Sequence, residues 1–285
     1  MSLPELLERK LYVPGLSREY RFLHLTDAHL VLYDETETRE RAEYAAPRIP
    51  MFAKDGVPSA ERFQAALDWA DANRESLDGV LLTGDIIDFP SGPNLAYLEK
   101  ALAGLELPWV YTLGNHDWAY FNDYHTPHAK IANRPLFSRW CGGNTYIQKV
   151  RFGEIAVIGL DDTMDMYEDG MAETLAESMA GEENVILIQH VPLYVDTLHE
   201  DTVARWKRDL NIGGEGGICR NGNWKKVLEL VLAADSPVRA VIAGHLHMNH
   251  LDYIGGKVPQ ILTAAAAYGW GTVVTLTGSG CRADA

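Results

Sequence analysis

Residues 109–118 read WVYTLGNHDW, and the interpretation of the whole chain begins with this stretch. Its first half is an apolar run rich in aromatic and β-branched residues, which is typical of a buried strand and stops at Gly114. Asn115, His116 and Asp117 follow directly, and all three side chains can bind a metal ion or take part in proton transfer. The pattern predicts a polar site that is held on the rigid end of a strand.

Four other apolar runs end in the same way. They are followed by Asp27 and His29 in TDAHL, Asp85 and Asp88 in TGDIID, His190 in IQHVP, and His245 and His247 in AGHLHM. Because the carboxyl ends of parallel strands meet at one edge of a sheet, we expect these side chains to converge. Gly84, Gly114 and Gly244 each precede one of these polar residues, and glycine permits a close approach of two segments there.

The converging side chains make a set of candidate metal ligands, namely Asp27, His29, Asp85, Asn115, His190, His245 and His247. The Asp-x-His and His-x-His spacings put both side chains on one side of an extended segment, so that they can chelate one ion. The set is too large for one catalytic ion with an open position, and it fits two ions about 3.5–4 Å apart that share a carboxylate. Oxygen and nitrogen donors without thiolates favour two divalent or trivalent ions of Mn, Fe or Zn over Ca or Cu(I).

Charge and cysteine content narrow the function classes. The net charge is −15, from 25 Lys and Arg against 40 Asp and Glu, which disfavours extensive nucleic-acid binding. A small phosphorylated substrate remains compatible with this charge, because bound cations can invert the local field. The three cysteines, Cys141, Cys219 and Cys281, are far apart and form no Cys-x-x-Cys pair, which indicates a reducing, cytoplasmic location.

The N-terminus carries early acidic residues and no apolar core of a signal peptide. No apolar run approaches the ~20 residues of a membrane helix, so no membrane span is expected.

Strand-like and helix-like segments alternate along the chain, and a hairpin is predicted over residues 145–162, which favours an α/β fold with mixed sheets. A helix over residues 59–75 is expected to be capped by Ser59 and to bury Phe63, Leu67 and Ala70. Residues 250–264 and 271–278 are predicted to form a terminal antiparallel set. We predict a single domain over residues 1–285, with irregular insertions near residues 33–59, 118–145 and 196–223.

The ordered set Asp-x-His, Gly-Asp-x-x-Asp, Gly-Asn-His-Asp, His and Gly-His-x-His, which spans residues 27–247, resembles the calcineurin-like metallophosphoesterases. Each motif alone is weak, whereas all five in this order are specific. The resemblance implies a four-layer α-β-β-α sandwich of two mixed β-sheets flanked by helices, with the metal site at the C-terminal ends of strands.

The resemblance also implies a role for each site residue. The first metal ion would be held by Asp27, His29, Asp85 and His247, and the second by Asn115, His190 and His245, with Asp85 bridging the two. His116 would protonate the leaving oxygen or steady the phosphoryl group, and Asp117 would orient His116. Asn115 would contact the phosphate as well as a metal ion, and Asp88 is expected to make a hydrogen bond rather than to bind metal.

The implied activity is hydrolysis of a small phosphomonoester or phosphodiester by attack of a metal-bound hydroxide on phosphorus. Protein serine/threonine phosphatases of the family carry Asp-Arg-Gly after the second motif and a final Glu in the third, whereas this chain has DFP at residues 88–90 and Asp117. Arg220, in the glycine-rich stretch 211–224, is a candidate contact of the substrate phosphate, and a plain flexible loop is the alternative. A nuclease of the same family and a non-catalytic interaction scaffold are the alternative functions.

Overall fold

The computed structural model of the chain describes residues 4–120, 126–164, 166–208, 210, 212–213 and 222–278. The strands are β1 (Glu5–Tyr12), β2 (Tyr20–Leu25), β3 (Gly79–Leu82), β4 (Trp109–Tyr111), β5 (Ile147–Phe152), β6 (Ile155–Leu160), β7 (Val185–Ile188), β8 (Val238–Ala243), β9 (His250–Ile254), β10 (Val258–Leu262) and β11 (Trp270–Thr277). The helices are α1 (Arg39–Ala45), α2 (Arg48–Met51), α3 (Ser59–Ala72), α4 (Gly92–Gly104), α5 (Pro127–Asn133), α6 (Met171–Met179), α7 (Asp196–Trp206) and α8 (Asn223–Leu232).

The strands form two mixed sheets. The five-stranded sheet has the order β1-β11-β2-β3-β4, in which β2, β3 and β4 are parallel neighbours. The six-stranded sheet has the order β5-β6-β7-β8-β10-β9, in which β6, β7, β8 and β10 are parallel and β5 and β9 are antiparallel edges. The strands expected to carry the site therefore lie side by side with their carboxyl ends on one edge of each sheet.

The two sheets pack face to face. Phe22 and Leu81 of the first sheet belong to the same buried apolar cluster as Ile186 and Ile242 of the second. Burial of this shared layer is the main source of the free energy that holds the sheets together.

Helices cover the outer faces of the sandwich. Phe63 of α3 and Leu98 of α4 pack in one buried cluster with strands of the first sheet, and Leu175 of α6 and Val227 of α8 do so with strands of the second. The predicted α/β sandwich of two mixed sheets flanked by helices is confirmed. Over the part of the chain that the structure describes, every helix is too short or too polar to cross a membrane.

The structure corrects several local predictions. Pro58, not Ser59, is the N-cap of α3, because the Ser59 hydroxyl donates to the His29 carbonyl oxygen at 3.0 Å instead. The apolar face predicted for this helix is confirmed, since Phe63, Leu67 and Ala70 are buried.

The two ends of the chain also differ from the prediction. Strand β1 was not predicted, because an edge strand buries little and shows no clear alternation of apolar and polar residues. Leu11 is its buried residue. Strand β11 does not join an antiparallel set with β9 and β10. It lies in the other sheet, parallel to β1 and antiparallel to β2. The insertions near residues 33–59 and 196–223 contain α1, α2 and α7.

Candidate metal centre

The five strand ends meet where the two sheets face each other. Asp27, Asp85 and Asn115 follow strands of the first sheet, and His190 and His245 follow strands of the second. Hydrogen bonds join the two sides: Nδ1–H of His190 donates to the Thr83 carbonyl oxygen at 2.8 Å, and the His245 backbone N–H donates to Asp27 Oδ2 at 2.9 Å. Residues far apart in sequence thus form one cluster.

One half of the cluster surrounds Asp27. His247 Nε2 lies 3.2 Å from Asp27 Oδ1, and His29 Nε2 lies 3.7 Å from the same oxygen. The two ring nitrogens of His29 and His247 are 3.0 Å apart. These three residues offer ligand atoms that all lie within 4.8 Å of one another.

The other half surrounds Asp85. Its Oδ2 lies 3.2 Å from His190 Nε2 and 3.8 Å from His29 Nε2, so this oxygen stands between the two halves. His245 Nδ1 lies 3.2 Å from His190 Nε2. Asp85 therefore occupies the place that a shared carboxylate needs.

The residues fit metal ions on two observations. Asp27 Oδ1 and Asn115 Oδ1 are buried oxygens without a hydrogen-bond partner among the described residues, and such atoms are normally paired. In addition, nitrogen pairs 3.0 and 3.2 Å apart are spaced as neighbouring ligands about 2.1 Å from one ion are. Buried oxygens without a partner and closely spaced ring nitrogens are what a site for cations would present.

The outer nitrogens of two histidines are held by hydrogen bonds that aim the inner nitrogens at the cluster. Nδ1–H of His29 donates to Asp88 Oδ1 at 2.8 Å, and Nδ1–H of His190 donates to the Thr83 carbonyl oxygen. Both Nε2 atoms are thereby directed to the carboxylates. This is how proteins commonly fix the tautomer and orientation of metal-ligating histidines.

Burial lowers the pKa values of the clustered histidines, whereas the neighbouring carboxylates raise them. Burial lowers the pKa of His29, but the nearby carboxylates of Asp27 and Asp88 outweigh it and raise the pKa to about 9. For His190, the charge of Asp85 outweighs burial in the same way and raises the pKa to about 10. Burial, together with the charge of His190, lowers the pKa of His245 to about 3. The carboxylates thus make a negative field that attracts cations.

The backbone at the ligands is strained. Asp27, His29, Asp85, His245 and His247 all have positive φ, with values of 53°, 42°, 50°, 69° and 50°. Non-glycine residues rarely adopt this left-handed conformation, and it persists where the surrounding structure enforces it, most often at functional sites.

Glycine is required beside the ligands. A Cβ atom at Gly244 would lie 2.6 Å from Asp27 Oδ2, and one at Gly114 would lie 2.7 Å from Asp85 Cγ. Both distances are far below van der Waals contact. The ligand loops can approach each other only because these side chains are absent.

We expect Gly244→Ala to lower the free energy of unfolding by about 1–3 kcal/mol, because the added methyl group must displace a buried carboxylate. Thermal unfolding and metal content measure the effect. Gly104→Ala is the control, because a Cβ atom there meets nothing within 4 Å. A Gly244→Ala protein as stable as the control would contradict the packing argument.

Asp117 holds two ligand loops together. Its carboxylate accepts backbone N–H bonds from Asp85 at 2.9 Å, Ile87 at 3.1 Å and Gly114 at 2.7 Å. The expected role of orienting His116 belongs by geometry to Asp88, whose Oδ1 lies 3.2 Å from His116 Nδ1. The role expected for Asp117 came from the resemblance to the family, whereas the carboxylate of Asp117 in this structure accepts backbone N–H bonds.

Arg48 is a site residue that sequence reasoning missed. It lies on α2, within the predicted insertion, and its Nε and Nη2 both donate to the carboxylate of Asp88, the second at 2.6 Å. Asp88, His29 and His116 also form a potential metal-binding group, but the guanidinium already occupies the carboxylate. The expectation that Asp88 makes hydrogen bonds therefore agrees with its contacts.

Aromatic rings border the cluster. Phe52 stacks on the His29 ring, with centroids 4.3 Å apart and planes 3° from parallel. Trp206 and Tyr268 lie 6.0 and 6.3 Å from the His247 ring and are partly exposed. Trp206 also donates its indole N–H to the Leu246 carbonyl oxygen at 3.0 Å. This contact joins the end of α7 to the ligand loop.

Arg220 and the three cysteines are the remaining residues that the sequence analysis named. Arg220, Cys219 and Cys281 lie outside the described residues. Cys141 is buried and has a free thiol.

Removal of metal is expected to lower the melting temperature by roughly 5–10 °C, because ligands that bind the folded state alone stabilise it by about 2.7 kcal/mol at 100 times Kd. Thermal unfolding with and without a chelator measures this, and added Mn, Fe or Zn should reverse it. An unchanged melting temperature in protein shown to be metal-free would contradict a metal centre at this cluster.

Comparison with known proteins agrees with this geometry. The sequence model of the calcineurin-like phosphoesterases matches residues 20–249. The chain belongs to this family. A calcineurin-like phosphoesterase is a hydrolase that acts on phosphoric ester bonds, and the metal-capable cluster lies within the matched region.

Three proteins illustrate the relationship of this calcineurin-like phosphoesterase to others. A probable cyclic nucleotide phosphodiesterase of Rhodopseudomonas palustris is 27% identical over 246 residues, covering 80% of this chain and 71% of the relative. A dimetal phosphatase from Danio rerio superposes with a TM-score of 0.53 at 14% identity, covering 87% of this chain and 88% of the other. A purple acid phosphatase from yellow lupin (Lupinus luteus) seeds gives 0.51 at 13% identity, covering 95% and 46%. The two structures share the fold.

Proposed function

We propose that this calcineurin-like phosphoesterase hydrolyses a small phosphomonoester or phosphodiester with the help of two metal ions. The observation that carries the proposal is the position of Asp85 Oδ2, which lies 3.2 Å from His190 Nε2 and 3.8 Å from His29 Nε2. A single carboxylate oxygen between two sets of imidazole nitrogens suits a pair of ions that share a ligand.

Each ion would have its own ligands. One would be held by Asp27, His29 and His247, the other by Asn115, His190 and His245, with Asp85 shared between them. When bound, such ions polarise phosphoryl oxygens and lower the pKa of water towards neutrality. The mixed nitrogen and oxygen donors suit Mn, Fe or Zn.

The chain's own groups would position and protonate the substrate. The Asn115 amide would donate N–H bonds to a phosphoryl oxygen, and its buried Oδ1, which has no hydrogen-bond partner among the described residues, would bind metal. His116 would protonate the leaving oxygen, a role supported by its place beside the shared ligand and by its Nδ1, which lies 3.2 Å from Asp88 Oδ1. The backbone N–H of His116 donates to Asp85 Oδ1 at 2.7 Å, which ties this residue to the shared ligand.

Among small esters, we propose a nucleotide phosphodiester as the preferred substrate. Two observations support it. The Rhodopseudomonas palustris relative is described as a probable cyclic nucleotide phosphodiesterase. The partly exposed rings of Trp206 and Tyr268 beside His247 offer aromatic surface on which a base can stack. Arg220 remains a proposed contact of the substrate phosphate.

The proposal is tested by measuring the metal content of the purified protein and its hydrolysis of a substrate panel. The panel would contain p-nitrophenyl phosphate, bis-p-nitrophenyl phosphate, cyclic nucleotides, nucleotide diphosphates and single-stranded DNA, each with Mn, Fe, Zn or Mg. About two ions per chain and turnover of cyclic nucleotides would support it. Preferred cleavage of DNA would favour the nuclease, and metal-loaded protein without turnover would favour the interaction scaffold.

A further inference from the structure

We propose that Arg48, supplied by the insertion between the first two ligand strands, is a positioning residue that sets the orientation of His29 and His116 through Asp88. The inference rests on the proposed function in taking His116 as the proton donor, but the contacts that carry it are those of the structure. Arg48 would act without touching the substrate.

Asp88 stands at the centre of these contacts. Its carboxylate is fully buried and lies 2.8 Å from Nδ1 of His29 and 3.2 Å from Nδ1 of His116. One side chain thus contacts a metal-ligand candidate and the proposed proton donor. A rotation of this carboxylate would disturb both rings at once.

Arg48 prevents that rotation. Nε bonds to Oδ2 and Nη2 bonds to Oδ1, so both oxygens are engaged by one planar group. Such a paired arrangement fixes the plane of the carboxylate, which a single donor cannot do. The Arg48 side chain is 12% exposed, so water competes little for these bonds. A lysine at this position would keep the charge and lose the paired geometry.

The same turn of helix supports His29 a second time. Phe52, which ends α2, stacks flat on the His29 ring at 4.3 Å, and the Arg48 guanidinium lies 5.3 Å from the Phe52 ring centre. The Ser59 hydroxyl in turn bonds to the His29 carbonyl oxygen at 3.0 Å. The segment of residues 48–59 therefore holds His29 directly on its ring face and its backbone, and at its Nδ1 edge through Asp88.

The test compares Arg48→Ala and Arg48→Lys with the unaltered protein by two measurements. The first is the spectrum of the histidine ring N–H groups in protein labelled with ¹⁵N-histidine. An N–H held by a buried acceptor exchanges slowly with water and gives a sharp signal. The His29 Nδ1–H signal, identified by its loss in both His29→Gln and Asp88→Asn, should broaden or vanish in both Arg48 variants.

The second measurement is steady-state hydrolysis at saturating metal. We expect kcat to fall roughly 10- to 100-fold in Arg48→Ala, the usual loss when a group that orients a metal ligand is removed. KM should change less than about threefold. Arg48→Lys should keep an intermediate rate, and added guanidinium should restore part of the Arg48→Ala rate. Arg39→Ala is the control, because Arg39 lies on α1 and pairs with Glu43 at the surface.

Several results would overturn the proposal. One is a His29 signal that is unchanged in both variants, and another is the absence of a slowly exchanging signal in the unaltered protein. A raised KM with unchanged kcat would also overturn it, because it would make Arg48 a substrate contact. If Arg48→Ala does not fold, Arg48→Lys decides by the same measurements. If the unaltered protein hydrolyses nothing, the proposed function fails, while the spectrum still tests the role of Arg48.

Discussion

Asp85→Asn is expected to lower kcat/KM by roughly 1,000-fold or more, which corresponds to about 4 kcal/mol of transition-state stabilisation. Asparagine has nearly the same shape, but it removes the negative charge that faces His29 and His190. It can also turn an N–H₂ donor towards a place that needs an acceptor. Because Asp85 Oδ2 lies between both halves of the cluster, the loss should affect the binding of both ions.

Metal analysis of the purified variant, together with its kinetics, measures this effect. Asp68→Asn, at an exposed position of α3, makes the same chemical change away from the cluster and should behave as the unaltered protein does. Full metal content in Asp85→Asn with activity within tenfold would remove Asp85 from the shared position.

His116→Ala should lose roughly 100- to 10,000-fold in kcat, the range typical of a general acid, while keeping its metal ions. The ring contributes no ligand atom to the two groups around Asp27 and Asp85. The loss should be larger for alkyl esters than for p-nitrophenyl esters, because a good leaving group needs no proton in the transition state.

Kinetics on a series of esters and metal analysis distinguish the two possible roles of His116. His128→Ala, at an exposed position of α5, is the matched control. Loss of metal in His116→Ala would make the residue a ligand. A uniform loss across the ester series would assign it to steadying the phosphoryl group rather than to proton transfer.

The convergence of the candidate ligands could be predicted from sequence because their motifs follow directly after apolar runs. Asp27, Asp85, Asn115, His190 and His245 could be placed on strand ends by local pattern, and parallel strands bring their ends together wherever each strand stands in the sheet. The α/β fold with mixed sheets, predicted from the alternation of strands and helices, and the sandwich that the resemblance implies are both confirmed.

Contacts between separate segments could not be predicted in this way. Arg48 and Asp88 are 40 residues apart, and Arg48 is one of many charged residues in a polar stretch. Phe52 likewise gives no sign in the sequence that its ring covers His29. The role of Asp117 was expected from the resemblance alone, and nothing in the sequence shows that its carboxylate accepts three backbone N–H bonds.

The pairing of β11 with β1 and β2 could not be predicted from the sequence either. Strand β11 is buried along Gly271–Thr277, and a strand without a polar, exposed face fits any parallel or central position in a sheet. Nothing in such a run shows that its neighbours are β1 and β2 rather than the strands just before it.

That pairing sets an order of events during synthesis. Strand β2, which leads into Asp27, has β11 as one of its two neighbours in the sheet. The sheet therefore stays incomplete until β11 has left the ribosome, after all the candidate ligands have emerged. Contacts between segments so far apart in sequence also form slowly, because closing the long loop between them costs conformational entropy before the contacts stabilise the sheet. A nascent chain lacking β11 should thus carry every ligand and still lack the finished centre.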